Sequence, residues 1–224
     1  LCFSNCDIVL TEDFRVAFEN ARAWRESFLL VARRWDIDVT HLIDFSDVSA
    51  ARDLRTLTLK TGFQQDENWI DFFLFRRNQF DGMPPLIVGH CYWDNWMIWR
   101  ALIDGVDVLD ASDFVIPIHQ NHGYNPKFGR SKGIPTDSLS LTNLAAVGGT
   151  EHLKRIDAAT YRLTSEGEIR RKIVRNTYSF RTAFGHLRER LTYKIWLPFW
   201  HKLLGMTRPM RAAIGLRSKE KSNG

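Results

Sequence analysis

Short apolar runs of strand length alternate with stretches of helical periodicity through most of this chain. Residues 27–32 and 71–75 are apolar after a first polar residue and are followed by charged residues, as is typical of buried strands. Shorter runs of the same kind are residues 1–3, 8–10, 106–109 and 114–118. Apolar side chains recur at helical spacing in residues 14–24 and again in residues 93–103. Strands that alternate with helices predict an α/β domain.

The connections between these segments carry signals of their own. Thr11 is placed to cap the first helix, and Gly105 follows the second helix at a position where helices often end. Residues 81–85 contain one glycine and two prolines, which predict a turn. We predict a charged loop at residues 33–36. Residues 119–140 are polar and contain glycine and proline, so we predict a long surface loop there, a feature often linked to function.

Size and cysteine content limit the classes of protein. The chain has 224 residues, of which 44% are apolar and 25% are charged, enough for one well-buried domain and an appendage. No run approaches the roughly 18 apolar residues that span a bilayer, so a transmembrane helix is not expected. Cys2, Cys6 and Cys91 form no CxxC pair, which argues against a disulfide framework and against a cysteine-based zinc site. The pattern fits a reducing compartment, and we expect a cytoplasmic location.

The net charge of +5 hides a strongly basic carboxyl end. Residues 169–224 contain 14 Lys and Arg against two acids, whereas residues 1–168 contain 17 Lys and Arg against 24 acids. This asymmetry predicts two parts, an α/β domain in residues 1–164 and a basic tail in residues 165–224.

The tail combines basic and aromatic side chains. We predict amphipathic helices from Glu166 onward that meet near Pro198, followed by disorder in residues 218–224. Such helices bind anionic membrane surfaces, which would make the protein peripheral at the inner face of the membrane. Helices packed on the domain are the alternative interpretation. A nucleic-acid partner is not expected, because nothing in residues 1–168 supports one.

One carboxylate, Asp94, lies between Trp93 and Trp96 in the first turn of the second helix. A carboxylate there interacts favourably with the helix dipole, so a structural role is one interpretation. The functional interpretation is that the aromatic surroundings raise the pKa of Asp94, so that it accepts a proton from a hydroxyl nucleophile. In that case Asn95 would orient a sugar hydroxyl and the tryptophans would stack on a sugar ring. Trp96 and Trp99 fit a hydrophobic core equally well.

Two other segments carry metal-ligand chemistry. His119 and His122 follow a predicted buried strand, where α/β sheets place their ligands, and neutral imidazole is a common metal ligand. Asn5 and Asp7 offer the oxygen ligands that suit Mg²⁺ or Mn²⁺ bound to a diphosphate. The alternatives are structural histidines and an Asx turn.

Motifs exclude several enzyme classes and indicate another. A glycine-rich phosphate loop, a GxSxG elbow and an HExxH pair are all absent from the sequence, which excludes P-loop NTPases, α/β-hydrolases and zincins. Six segments occur in order: Asn5-Cys6-Asp7-Ile8-Val9-Leu10, Leu30-Val31-Ala32-Arg33-Arg34-Trp35-Asp36, Phe72-Phe73-Leu74-Phe75, Met83-Pro84-Pro85-Leu86-Ile87-Val88-Gly89, Trp93-Asp94-Asn95-Trp96-Met97 and Ile118-His119-Gln120-Asn121-His122. This ordered set resembles the later part of GT-A-type nucleotide-sugar glycosyltransferases, in particular a little-characterised group with Trp-Asp-Asn-Trp and His-Gln-Asn-His segments.

The resemblance implies a partial GT-A-like mixed sheet flanked by helices, and a divalent cation, Mn²⁺ or Mg²⁺. It gives Asp7 the position of the last acid in the family's DxD metal motif, with Asn5 in place of the first acid. It gives Asp94 the position of the catalytic base, and His119 or His122 that of the carboxyl-terminal metal ligand. Such enzymes hold the nucleotide base in a Rossmann-like half that precedes the DxD strand, and we expect that half to be missing from this sequence.

We therefore expect a metal-assisted enzyme that moves a sugar from a nucleotide-diphosphosugar donor to a hydroxyl of a glycan or a lipid-linked acceptor. Trp93, Asn95, Trp96, Arg33 and Arg34 would bind the substrates. We also expect Asp7, Asp94 and the histidine pair to line one cleft at the carboxyl ends of the central strands. The alternative is a catalytically inactive remnant of the same fold that binds a sugar or a partner.

Overall fold

The structure, a computed structural model, describes residues 1–47, 49–121, 130–131, 134–135 and 137–172. All of these residues belong to one compact unit. This part of the chain contains four α-helices, α1 (Glu12–Trp24), α2 (Ala50–Thr61), α3 (Trp93–Ile103) and α4 (Ser138–Val147). Its strands are β1 (Cys2–Ser4), β2 (Ile8–Val9), β3 (Phe28–Val31), β4 (Trp35–Ile37), β5 (Phe63–Gln64), β6 (Phe72–Phe75), β7 (Asp107–Asp110), β8 (Ile118–Gln120), β9 (Arg130–Ser131), β10 (Ile134–Pro135), β11 (Tyr161–Leu163) and β12 (Ile169–Arg171). None of these helices is long and apolar enough to cross a membrane.

Six strands form the larger sheet in the order β1-β6-β3-β7-β11-β12. The β3–β7 and β7–β11 pairings are parallel and the other three are antiparallel, so the sheet is mixed. All four residues of β3 are apolar and buried, because the strand is covered on both faces. On one face, Ala17 and Ala21 of α1 pack with Leu30, Phe72 and Leu109. The predicted α/β class is confirmed.

Four strands form a second mixed sheet in the order β2-β8-β4-β5. β8 pairs in parallel with β4 and antiparallel with β2. In this register His119 lies opposite Ile8 on one side and opposite Asp36 on the other. Leu54 of α2 packs with Ile118 in the core of this sheet. The second sheet thus brings the amino-terminal turn, the segment after β3 and the His119 strand side by side.

The helices α1 and α3 are confirmed at their predicted positions. Gly105 has a φ of 74°, the left-handed conformation expected of a glycine that ends a helix. Thr11 occupies the N-cap of α1 without making a side-chain capping bond. Its Oγ1 donates to Asp13 Oδ1, and that oxygen also accepts the N–H of Phe14. A carboxylate is the stronger acceptor, so Asp13 takes the role predicted for Thr11.

Several segments differ from the sequence interpretation. Trp35–Ile37 is strand β4 and not part of a charged loop, because its backbone pairs with both β5 and β8. The strand predicted at residues 114–118 begins only at Ile118, since the N–H groups of Phe114 and Val115 both donate to Ala111 O in a turn.

The segment predicted as a loop at residues 119–140 contains regular elements among its described residues. Its first two residues belong to β8, β9 pairs with β10 inside it, and α4 begins at Ser138. Sequence reasoning missed α4 because its buried residues, Ser140, Asn143 and Val147, give no apolar helical period. Helix α2 was missed for a related reason, since only Leu54 and Thr58 are buried in it.

The carboxyl end of the described chain is a strand and not a helix. β12 runs antiparallel to β11, where the sequence predicted a helix from Glu166 onward. Gly167 has a φ of 84° and its N–H donates to Thr164 O at 2.9 Å, which closes a tight turn. A left-handed glycine at this point reverses the chain, and it is the signal that the helix prediction overlooked. The boundary predicted between residues 164 and 165 therefore lies inside a hairpin. The remaining tail helices were predicted in residues that the structure does not describe.

Candidate functional site

A buried histidine lies between two carboxylates in the second sheet. Only 1% of His119 is exposed. Its Nε2 lies 3.3 Å from Asp7 Oδ2, and its Nδ1 lies 3.1 Å from Asp36 Oδ1. Strand pairing explains both contacts, because Asp36 is the β4 partner of His119 and Asp7 directly precedes β2 on the other side. Each ring nitrogen of His119 therefore faces one carboxylate.

Behind Asp36 lies a buried arginine that joins two carboxylates. Arg34 is 4% exposed, and its Nε lies 2.8 Å from Asp36 Oδ1. Its Nη1 donates to Asp71 Oδ2 at 2.9 Å, and its guanidinium lies over the ring of Trp69 at 4.5 Å. Gln65 Nε2 also donates to Asp36 Oδ2, at 2.6 Å. Arg34, predicted to bind substrate, is thus committed to holding the cluster together.

Asn5 connects the amino-terminal turn to the same cluster. Its Nδ2 donates to Asp71 Oδ1 at 2.8 Å, and its backbone N–H donates to Asp71 O at 3.0 Å. Burial raises the pKa of Asp71 above its ordinary value, the Arg34 guanidinium opposes the rise, and the charge of Asp7 adds to it. The neutral amide of Asn5 donates a hydrogen bond to Asp71, whereas a carboxylate at position 5 would repel the Asp71 carboxylate.

Asp94 lies in the first turn of α3 and is partly buried. Desolvation by the surrounding protein raises its pKa to about 7, and the negative charge of Asp71 contributes to the rise. The N–H of Asn95 donates to Asp94 Oδ1 at 2.9 Å, and this hydrogen bond to the carboxylate lowers the pKa of Asp94. Asp94 therefore titrates near neutrality and interacts electrostatically with the carboxylate that Arg34 and Asn5 hold.

The backbone at the start of α3 is strained. Tyr92, the N-cap residue, has a φ of 84°, a left-handed conformation that is unusual for a bulky residue. Two side chains of α4 hold the preceding segment in place: Ser140 Oγ accepts the N–H of Cys91, and Asn143 Nδ2 donates to Cys91 O. Strain of this kind persists only where the surrounding structure enforces it, and it is concentrated at functional sites.

Acids outnumber cations in this cluster. Among the described residues, Asp7, Asp36 and Asp71 contact one guanidinium and one imidazole, and Asp94 is a fourth acid that interacts with Asp71. Four of the side chains are nearly inaccessible, with 1% exposure for His119, 5% for Arg34 and 12% for both Asp36 and Asp71, whereas the Asp7 side chain is 31% exposed. Of these side chains, that of Asp7 is therefore the most exposed to solvent. An excess of partly buried negative charge favours a bound cation.

The other residues predicted to bind substrate lie elsewhere or have structural contacts. Trp93 is 3% exposed and packs against Phe3 and Phe73 at ring distances of 5.1 Å, so it belongs to the core. Trp96 is fully buried. Asn95 Nδ2 donates to Lys154 O at 3.1 Å.

Arg33 is partly buried, and its backbone N–H donates to Ser112 Oγ. His122 lies outside the described residues.

Sequence reasoning missed three members of the cluster, Asp36, Gln65 and Asp71. Asp36 directly follows the Arg33-Arg34-Trp35 segment, and Asp71 opens an apolar run, so both were visible only as charged ends of strands. A stronger signal is available in the spacing of Arg34 and Asp36. Residues two apart on a strand project from the same face, so the pair predicts an ion pair beside the sheet.

Within the described ranges, no three His, Cys, Asp or Glu side chains form a ready-made metal-ligand set. In the part of the chain that the structure describes, the two predicted ligand atoms Asp7 Oδ2 and His119 Nε2 lie 3.3 Å apart. No family model, curated protein or solved structure matches this chain.

Proposed function

We propose that this chain is the acceptor-side part of a GT-A-like glycosyltransferase that uses a nucleotide-diphosphosugar donor. The observation that carries the proposal is the contact between Asp7 and His119. The ordered segments predicted both residues as metal ligands although they lie 112 positions apart in the sequence. A further acid, Asp94, has a pKa of about 7 and interacts with Asp71, whose pKa is in turn affected by the charge of Asp7.

The donor atoms at this position fit Mn²⁺ or Mg²⁺. Two ligands bound to one ion at about 2.1 Å each lie within about 4.2 Å of one another, and Asp7 Oδ2 and His119 Nε2 are 3.3 Å apart. A small ligand set also suits these ions, because Mg²⁺ is usually held by one or two carboxylates together with waters and substrate phosphates. Bound there, the ion would offset the charge on the departing diphosphate.

Asp94 has the properties of a general base. A base works best when its pKa lies near the working pH, and burial holds the pKa of Asp94 at about 7. In the proposed reaction the acceptor oxygen bonds to the anomeric carbon, and the bond from that carbon to the diphosphate breaks. The hydroxyl proton passes to Asp94, and the diphosphate leaves with the electron pair. Asp7 and His119 orient the leaving group, while Arg34 keeps Asp36 and Asp71 in place.

A glycan or lipid-linked acceptor agrees with the basic carboxyl end. The described residues that begin it include Arg170, Arg171 and Lys172 on or beside an edge strand. The sequence beyond them carries 11 further Lys and Arg. We propose that this segment binds anionic membrane at its cytoplasmic surface, because each cation there contributes about 1 kcal/mol.

A binding module is the second candidate. It is favoured by the engagement of Arg34, Asn95, Trp93 and Trp96 in structural contacts, which leaves few of the predicted substrate contacts available. In that case the same cluster would hold a cation and a sugar phosphate without turnover.

The test is a panel of nucleotide-diphosphosugars incubated with Mn²⁺ and either this chain or the longest natural form of the protein. Release of nucleoside diphosphate is the readout. We expect release from one donor, a loss of at least about tenfold in His119→Gln, and no change in His41→Gln, whose imidazole is exposed. Binding of a donor without release favours the binding module. If no donor is bound or hydrolysed, the proposed function is wrong.

A further inference from the structure

We infer that Asn143, together with Ser140, is a positioning residue that holds the turn of residues 87–91 and, through this turn, the carboxylate of Asp94. The inference rests on the proposed function, in which Asp94 is the general base. Neither Asn143 nor Ser140 was among the residues that the sequence indicated for function.

The first argument is the set of backbone groups that helix α4 binds in this turn. Asn143 Oδ1 accepts the N–H of Ile87 at 2.7 Å, and Asn143 Nδ2 donates to Ile87 O at 2.9 Å and to Cys91 O at 3.1 Å. Ser140 Oγ accepts the N–H of Cys91 at 3.1 Å. Two side chains of α4 therefore bind the N–H and the carbonyl at both ends of the turn. An amide is suited to this task, because it offers two N–H donors and an acceptor oxygen.

The second argument is that these polar side chains occupy the buried face of α4. Asn143 is fully buried, and Ser140 is 1% exposed. Asp137, the N-cap of α4, lies three residues before Ser140, and its Oδ1 is 3.1 Å from His90 Nδ1. Residues three apart lie on the same side of a helix, so one side of α4 faces the turn. A helix face that is buried is usually apolar, so the polar residues indicate that α4 binds the turn through hydrogen bonds.

The third argument is the connection from the turn to Asp94. Cys91 directly precedes Tyr92, whose φ of 84° persists only if neighbouring groups enforce it. Tyr92 O accepts the N–H of Trp96 at 3.1 Å, which begins α3, and the backbone of Tyr92 also interacts with the Asp94 carboxylate. The conformation of Tyr92 therefore sets the position of Asp94. We expect Tyr92 to relax when Cys91 loses its bonds to α4, and the start of α3 to open to water.

Carbon NMR of the full chain labelled with ¹³C-aspartate tests the inference without any substrate. The Asp94 carboxyl signal is assigned by its loss in Asp94→Asn and is followed as a function of pH. Burial is the largest cause of the raised pKa of Asp94, so water that enters at the start of α3 should lower this pKa. We expect a fall of about one unit or more in Asn143→Leu, which has a similar volume but no hydrogen-bonding groups, and in the milder variant Ser140→Ala.

Thr58→Val is the matched control, because it removes a buried hydroxyl from another helix, α2, where it donates to Leu54 O. The pKa of Asp94 should stay at its wild-type value in this variant. If Asn143→Leu does not fold, Ser140→Ala decides. Three results overturn the inference: an unchanged pKa in the folded variants, an equal fall in Thr58→Val, or a wild-type pKa near the ordinary value of about 4.

Turnover of any nucleotide-diphosphosugar that the wild type uses gives a second readout. A displacement of about 1 Å at a reacting group can cost about 100-fold in rate, so we expect kcat to fall by about 10- to 100-fold in Ser140→Ala. KM should change little, because the displaced group acts in the transition state. A rise in KM at constant kcat overturns the inference. If the wild type turns over no donor, the proposed function fails, and the NMR comparison alone decides whether α4 positions Asp94.

Discussion

Replacing Asp94 by asparagine tests whether the folded protein holds this carboxylate under strain. The pKa of Asp94 is raised from 3.8 to about 7, mainly by burial. One pH unit corresponds to about 1.4 kcal/mol, so the ionised form costs the folded state about 4 kcal/mol at most. Asparagine keeps the shape and can still accept the N–H of Asn95, but it carries no charge. The substitution therefore removes a cost at high pH without removing a contact.

The direction in which stability changes with pH follows from the number of protons that the folded and unfolded chains bind. As pH rises through about 4, the unfolded chain releases the Asp94 proton while the folded chain keeps it. The stability contributed by this group is complete below that pH and is lost as pH rises through about 7. Because asparagine does not titrate, Asp94→Asn should gain stability relative to the wild type by about 2–3 kcal/mol between pH 5 and pH 8.

Urea unfolding of both proteins at pH 5 and pH 8 measures this gain. Asp81→Asn, at an exposed position, is the control and should show no such trend. Asp94→Asn should also lose about 10²- to 10⁴-fold in turnover of any nucleotide-diphosphosugar that the wild type uses, because a general base contributes that much. Two results would refute the reasoning: a stability difference that does not grow with pH, or full activity in Asp94→Asn.

Three further predictions concern the neighbours of the site and the tail. Arg34→Met should destabilise the protein by about 3–5 kcal/mol in urea unfolding at pH 8, because it leaves Asp36 and Asp71 uncompensated; an equal loss in Arg33→Met would contradict this. Asn5→Asp should lower stability by about 1–3 kcal/mol at pH 8 and less at pH 5, where one of two facing carboxyl groups takes up a proton; no pH dependence would show that residue 5 does not face Asp71. The full chain should co-sediment with phosphatidylserine vesicles and less so at high salt, since screening acts over about 10 Å at 0.1 M; equal binding to neutral vesicles would exclude the electrostatic explanation.

The elements with regular periodicity could be predicted from the sequence. Helix α3 repeats apolar residues over its whole length and ends before a glycine, so its bounds follow from local rules. The close approach of Asp7 to His119 could also be predicted, because both residues flank short apolar runs that a sheet brings together. Local rules could not predict that Asp36 lies on the other side of His119. This contact depends on the parallel pairing of β4 with β8, which joins segments about 80 residues apart.

The roles of the tryptophans show a second limit. Asp94 lies among aromatic residues as predicted, but Trp93 and Trp96 face the core and not a ligand. The sequence leaves both interpretations open, because apolar burial and sugar stacking use the same side chains. Asp71 was overlooked because its place in the cluster depends on burial beside Arg34, and burial of a charge is a property of the folded chain.

The most direct test of the proposed site is a crystal grown with Mn²⁺ and a nucleoside diphosphate. Anomalous scattering from manganese locates the ion independently of any model of the chain. We expect a peak within about 2.3 Å of both the Asp7 carboxylate and His119 Nε2, with the diphosphate completing its coordination. A peak at another position, or no peak at a saturating Mn²⁺ concentration, would contradict the proposal that these two residues hold the ion for sugar transfer.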